Sequence, residues 1–223
     1  MNGDDLIKAL ATDLRPIRPV TPPHVAMLIW IAGAALILAA GIGVSHVRSD
    51  LLQTLSRPDT AAEAAIAATT ALLSAFAAFQ RAIPGRAPLW ALPPVLGAIA
   101  WLALLGFGCL RDLAVLGLLT VDNEMSPTCL IFIAGFGTPV LLMTLALARH
   151  ALPLNPLPVV LLAALAAAAS ADLGLVAIDH PHAAATTLIW HGGAGLFLAA
   201  MAVMAGPWWM RRAARWFGLA RYR

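Results

Sequence analysis

Six stretches of the chain, at residues 25–44, 64–80, 89–110, 129–148, 157–178 and 184–206, are almost wholly apolar. Each holds about 17–23 residues, and at about 1.5 Å per residue such a stretch spans a hydrocarbon core of about 30 Å as a helix. Lipid offers the backbone no hydrogen-bond partner, so each run must satisfy its own amides. The pattern predicts an all-α fold, an integral membrane bundle of six transmembrane helices. Composition excludes the water-soluble alternative: 61% of the 223 residues are hydrophobic and 11% are charged, where an ordinary soluble domain has about 25% charged residues. Too little chain lies outside the runs for a second folded domain. The expected organisation is a tail at 1–23, the bundle at 24–206 and an Arg- and Trp-rich anchor at 207–223.

An even number of spans puts both termini on one side. That side carries Lys8, Arg15, Arg18, Arg81, Arg86, Arg149, Arg211, Arg212, Arg215, Arg221 and Arg223, against Arg48, Arg57 and Arg111 on the other. The excess of basic residues places both termini in the cytoplasm. The tail lacks the basic start and short apolar core of a secretory signal and is expected to be retained. Asp50, Asp59, Glu63, Asp112, Asp122, Glu124 and Asp179 fall mostly on the opposite, outer face. Trp208, Trp209 and Trp216 beside the C-terminal arginines suit an interfacial belt that holds the end of the chain to membrane lipid. Pro207 is expected to stop the sixth span, and Pro139 to kink the fourth. Leu51, Leu52 and Leu55, and Leu113 to Leu119, suit short amphipathic segments in the outer connections; the alternative for the second group is a third span that runs on past Arg111. A net charge of +3, with no basic stripe interleaved with aromatics, argues against direct nucleic-acid binding.

In the tail, Leu6, Ile7, Leu10 and Leu14 recur at helical spacing, while Asp4, Asp5, Lys8 and Asp13 fall largely elsewhere. Aspartates at its start suit the positive end of a helix dipole, and Pro16 disfavours helix at Arg15. An amphipathic helix of about three turns is too short to be stable alone in water, so it needs a partner surface. The cytoplasmic leaflet and the protein's own loops are candidates. An anionic leaflet repels aspartates, however, which favours the groove of a cytoplasmic protein.

Two constellations lie elsewhere. Cys109 ends the third span and Cys129 begins the fourth, near one depth on a face where disulfides are permitted, although cysteine in an apolar helix is commonly a small hydrophobe. Asp172 and His191 sit about 10 Å deep in a hairpin with a very short loop and are placed to face each other, as a lock between two helices or as a proton-sensitive switch. Gly192, Gly193 and Gly195, which follow His191, suit close approach of another helix.

The Asp-Asp-Leu-Ile-x-x-Leu-Ala-x-Asp-Leu tail, the proline-spaced approach to the first span, Arg81-Ala-Ile-Pro-Gly-Arg86, Gly108-Cys109-Leu110-Arg111-Asp112 and Trp190-His191-Gly192 occur in that order. Over nearly its whole length the chain resembles the NrsF family, six-span membrane anti-sigma factors of extracytoplasmic-function sigma factors. The resemblance implies a bacterial inner-membrane protein whose N-terminal segment holds a sigma factor and releases it on an envelope signal, redox or heavy-metal in kind. Asp4, Asp5, Leu6, Ile7, Leu10, Asp13 and Leu14 are then the expected contact set. A sigma factor's DNA-binding surface is basic, and aspartates flanking a leucine stripe complement it. Relatives often place a cysteine just before the proline of the last outer loop, where this chain has His180 in Asp179-His180-Pro181-His182. That departure removes a direct disulfide from Cys129 to this loop. It leaves Cys109, Cys129, His180 and His182 as a sensing set, with Cys129, His180 and His182 as thiolate and imidazole ligands for a soft metal.

The reading from a different class is a small membrane transporter or a cofactor-binding membrane subunit that uses Asp172 and His191. Against transport stand the single charge within the six runs and the lack of an internal repeat. Hydrolase, nucleophile and phosphate-loop motifs are missing too, so no enzymatic activity and no cofactor are expected.

Overall fold

The computed structural model describes residues 3–12, 20–45, 48–116, 128–151, 153–178 and 184–216. Among them the chain forms eight α-helices and no strand: α1 (Gly3–Thr12), α2 (Pro23–Val44), α3 (Leu51–Leu55), α4 (Pro58–Ala82), α5 (Leu92–Leu116), α6 (Thr128–Ala148), α7 (Pro156–Leu175) and α8 (Ala184–Trp216). Short 3-10 turns at Pro88–Ala91 and Arg149–Ala151 precede α5 and follow α6. The six long helices α2, α4, α5, α6, α7 and α8 are long and apolar enough to cross a membrane. The chain is a multi-pass membrane protein.

Local chemistry sets where these helices start. Proline opens α2, α4 and α7, at positions where its missing amide has no helical partner to lose. Asp59 lies in the first turn of α4, at the positive end of the dipole. Asn155 caps α7 by accepting a 3.3 Å hydrogen bond from the Leu157 amide. Between α4 and α5 the chain turns at Gly85, whose φ of +83° disfavours any side chain. Arg81 Nη1 donates across that turn to the Arg86 carbonyl at 3.0 Å.

The bundle is organised around α7, which packs on α4, α6 and α8. Ala163, Ala164, Ala166, Ala167, Ala168, Ala169 and Ala171 are all buried on it, because a helix this thin can be surrounded closely. Its partner α4 presents Ala67, Ala71, Ala75 and Ala78 with Thr70 and Ser74, again buried. Close approach elsewhere rests on glycine. A Cβ at Gly97 of α5 would lie 2.5 Å from Thr70 Oγ1, and one at Gly206 of α8 would lie 2.8 Å from Val160 Cγ2. The larger apolar cluster joins α2, α4, α6, α7 and α8. A smaller one, with Phe132, Ile133, Ala171, Leu175, Ala194 and Leu198, joins α6, α7 and α8.

Several expected boundaries move. The second span begins at Pro58 rather than residue 64, since alanines at 61, 62, 64 and 65 carry helix readily through Glu63. The third continues past Cys109 and Arg111 to Leu116, so residues 113–116 extend that span and are not a separate segment. Helix α6 runs through Pro139. At Pro207, the expected stop, the helix does not end: α8 passes through it to Trp216. Beyond the proline, Met210 is buried, Trp209 packs against the larger core and Arg149 lies over the Trp209 ring, 5.1 Å from its centroid. These contacts hold the helix where a lost hydrogen bond alone would break it. Trp209 thus serves the core as well as any interfacial belt. Gly192 and Gly193 do not provide the expected close approach, because a Cβ at either meets nothing within 4 Å, and one at Gly195 would make only ordinary contact with Ala168 at 3.7 Å.

Candidate functional site

Asp172, His191 and Glu63 come together near the end of the bundle opposite the start of α2. Asp172 lies three residues before the end of α7, His191 seven residues into α8 and Glu63 five residues into α4. At about 1.5 Å per residue these positions are about 5–10 Å from their helix ends. Packing of α7 against both α4 and α8 brings the three side chains within one group: one ligand atom from each lies within 4.8 Å of the others.

The Asp172 side chain is 2% exposed and that of His191 12%, and His191 Nδ1 pairs with Asp172 Oδ1. Glu63 is half-buried. Asp172 Oδ2 accepts no hydrogen bond among the described residues. A carboxylate in a membrane-spanning helix costs about 2.5–3.5 kcal/mol on insertion scales, and it turns inward toward a partner. Here the partner is the His191 imidazole on the next helix. Two carboxylates and one imidazole can bind a proton or a cation. Sequence reasoning placed Glu63 in an outer connection and missed it as a third member. The signal for it was Pro58-Asp59 ahead of the alanine run, an ordinary helix start.

The same end is closed by Arg48, whose side chain is 4% exposed. Its Nε and Nη2 donate to Asp50 Oδ1 and Oδ2 at 2.7 and 2.8 Å. Its backbone amide donates to the Ala177 carbonyl at 3.2 Å, tying the connection after α2 onto the end of α7.

The tail residues occupy α1. Asp4 and Asp5 are exposed in its first turn, and Ile7 is 65% exposed. Leu6 and Leu10 lie on the same helix. Asp13 and Leu14 lie outside the described residues. No described residue of α1 belongs to either apolar cluster of the bundle.

Of the outer sensing set, Cys109 is a free, half-buried thiol, seven residues before the end of α5 rather than at its terminus. Cys129 is the second residue of α6. His180 and His182 lie outside the described residues.

A family model described as NrsF, negative regulator of sigma F, matches residues 10–216. That range covers all six spans and begins within α1. No curated protein and no solved structure matches the chain.

Proposed function

Because the chain belongs to the NrsF family, the negative regulators of sigma F, we propose that it is a membrane anti-sigma factor that sequesters an extracytoplasmic-function sigma factor through α1. The observation that carries this reading is α1 itself: a helix with Asp4 and Asp5 exposed in its first turn and Ile7 exposed beside them. An amphipathic segment of that kind fits a groove on a folded partner, with its stripe as anchor. Its aspartates complement the basic surface that a sigma factor turns to DNA, so capture and DNA binding compete. Asp4, Asp5, Leu6, Ile7, Leu10, Asp13 and Leu14 form the contact set.

In this reading the protein sits in the bacterial inner membrane with both termini in the cytoplasm, as the excess of basic residues on that side favours. A redox or heavy-metal change at the outer face, at Cys109, Cys129, His180 and His182, shifts packing among the spans and alters how α1 is presented. The sigma factor then has different affinities for two states of one protein. A family of regulators also favours a non-enzymatic role.

Co-purification of the full chain from membranes, beside a chain lacking residues 1–22, tests the proposal. The expected result is a sigma factor that comes with the first and not with the second, and that is reduced by Leu6→Asp or Leu10→Asp. Equal recovery with all four chains would remove α1 from the mechanism.

A further inference from the structure

We propose that Glu63, Asp172 and His191 form a binding site for a divalent first-row metal ion, with zinc the best fit. Three observations carry it. One donor atom from each of three helices lies within 4.8 Å of the other two, so small side-chain movements let all three reach one ion. Asp172 is 98% buried in that group, and its Oδ2 accepts no hydrogen bond from a described residue. Pairing with one imidazole balances at most one of two carboxylates, whereas a dication balances both and leaves the imidazole neutral, the form in which it is a ligand.

The donor chemistry narrows the choice. One imidazole nitrogen and two carboxylate oxygens match the ligand types of zinc, and three protein ligands leave a fourth position for water or another molecule. Calcium prefers six to eight oxygens, and magnesium prefers water and octahedral geometry. Copper(I) prefers thiolate and thioether. Glu63 and Asp172 stand 109 residues apart, and Asp172 and His191 a further 19. A bound ion therefore fastens α4, α7 and α8 at one end of the bundle. This site uses neither α1 nor a cysteine, and it stands whether or not α1 holds a sigma factor.

Titration of the full chain in lipid nanodiscs with cobalt(II) alone, read by visible absorption, and then with zinc(II), tests it. The expected result is one equivalent of cobalt bound per chain and displaced by zinc. Glu63→Gln and Asp172→Asn should each weaken binding by at least about 10- to 100-fold, the range that loss of even an outer partner of a ligand produces. Cys129→Ser and the double variant His180→Asn/His182→Asn should bind as the wild type does. Failure of the wild-type chain to take up one equivalent would overturn the site. So would binding that survives Glu63→Gln and disappears with Cys129→Ser. Glu63 is half-buried, so its variant remains decisive if Asp172→Asn fails to fold.

Discussion

Trp30 Nε1 of α2 donates a 2.8 Å hydrogen bond to Thr144 Oγ1 of α6, and that hydroxyl donates at 2.7 Å to the Val140 carbonyl one turn back. Both side chains are buried, at 2% and 0% exposure. A single hydroxyl thus joins an indole on one spanning helix to the backbone of another, in the half of the bundle away from the acidic cluster.

Thr144→Val keeps the shape and removes the acceptor, which leaves a buried indole N–H without a partner. Interhelical hydrogen bonds in membranes couple by about 0.6 kcal/mol on average and up to about 1.7. A double-mutant cycle with Trp30→Phe, read by reversible unfolding in mixed micelles, should give a coupling within that range. Additive single effects would mean that the bond adds nothing to stability.

Gly206→Val forces side-chain atoms into Val160 and should destabilise the bundle by about 1–3 kcal/mol, the usual cost of overpacking. Gly192→Ala meets open space and should be neutral within about 0.5 kcal/mol, or slightly stabilising because glycine weakens a helix interior. Unfolding midpoints of the two variants check the contrast, and a large loss from Gly192→Ala would contradict the packing described.

The buried pair makes a signed prediction of its own in the presence of a chelator. His191→Leu leaves Asp172 and Glu63 without their imidazole and should cost about 3–5 kcal/mol, as breaking a buried ion pair does. The double variant Asp172→Leu/His191→Leu removes both members and should recover much of that loss. A double variant less stable than His191→Leu would rule out the pair as the reason for the cost.

Two exposed leucine-type side chains allow a controlled test of α1. Ile7 is 65% exposed on the tail and Leu52 is 83% exposed on α3. Ile7→Asp should weaken sigma-factor capture about tenfold or more, a loss of about 1.4 kcal/mol at an anchor, while Leu52→Asp should not. Asp4→Asn with Asp5→Asn should slow association and flatten its dependence on salt. Surface plasmon resonance on captured full chain measures both.

For sensing, Cys129→Ser should blunt release of the sigma factor by thiol oxidants, scored with a reporter of sigma-factor activity. An unchanged response would transfer the sensing role to Asp172 and His191.

How far these features could be read in advance depended on the range of the interaction. The six spans are a property of local hydropathy, and each appears in the structure as a helix. Asp172 and His191 were placed near each other because a short loop joins their helices, so depth alone constrains them. Glu63 joins them from a helix over a hundred residues away, and a boundary drawn at the first charge removed it from the membrane. Pro207 is a similar case: a local helix breaker is overruled by packing against Val160 and Arg149, residues that no window around position 207 contains. The glycines after His191 show the converse, since small size permits an approach without supplying a neighbour.

The order in which the three ionisable groups occur along the chain has a consequence for biogenesis. Glu63 and Asp172 leave the ribosome before His191, and the 19 positions from Asp172 to His191 take about 1–4 s to synthesise at about 5–20 residues per second. For that interval the nascent chain presents the two acids of the cluster to the insertion machinery without the imidazole that pairs with Asp172. Chains truncated before His191 keep two clustered carboxyl groups and lose the partner of Asp172 for good.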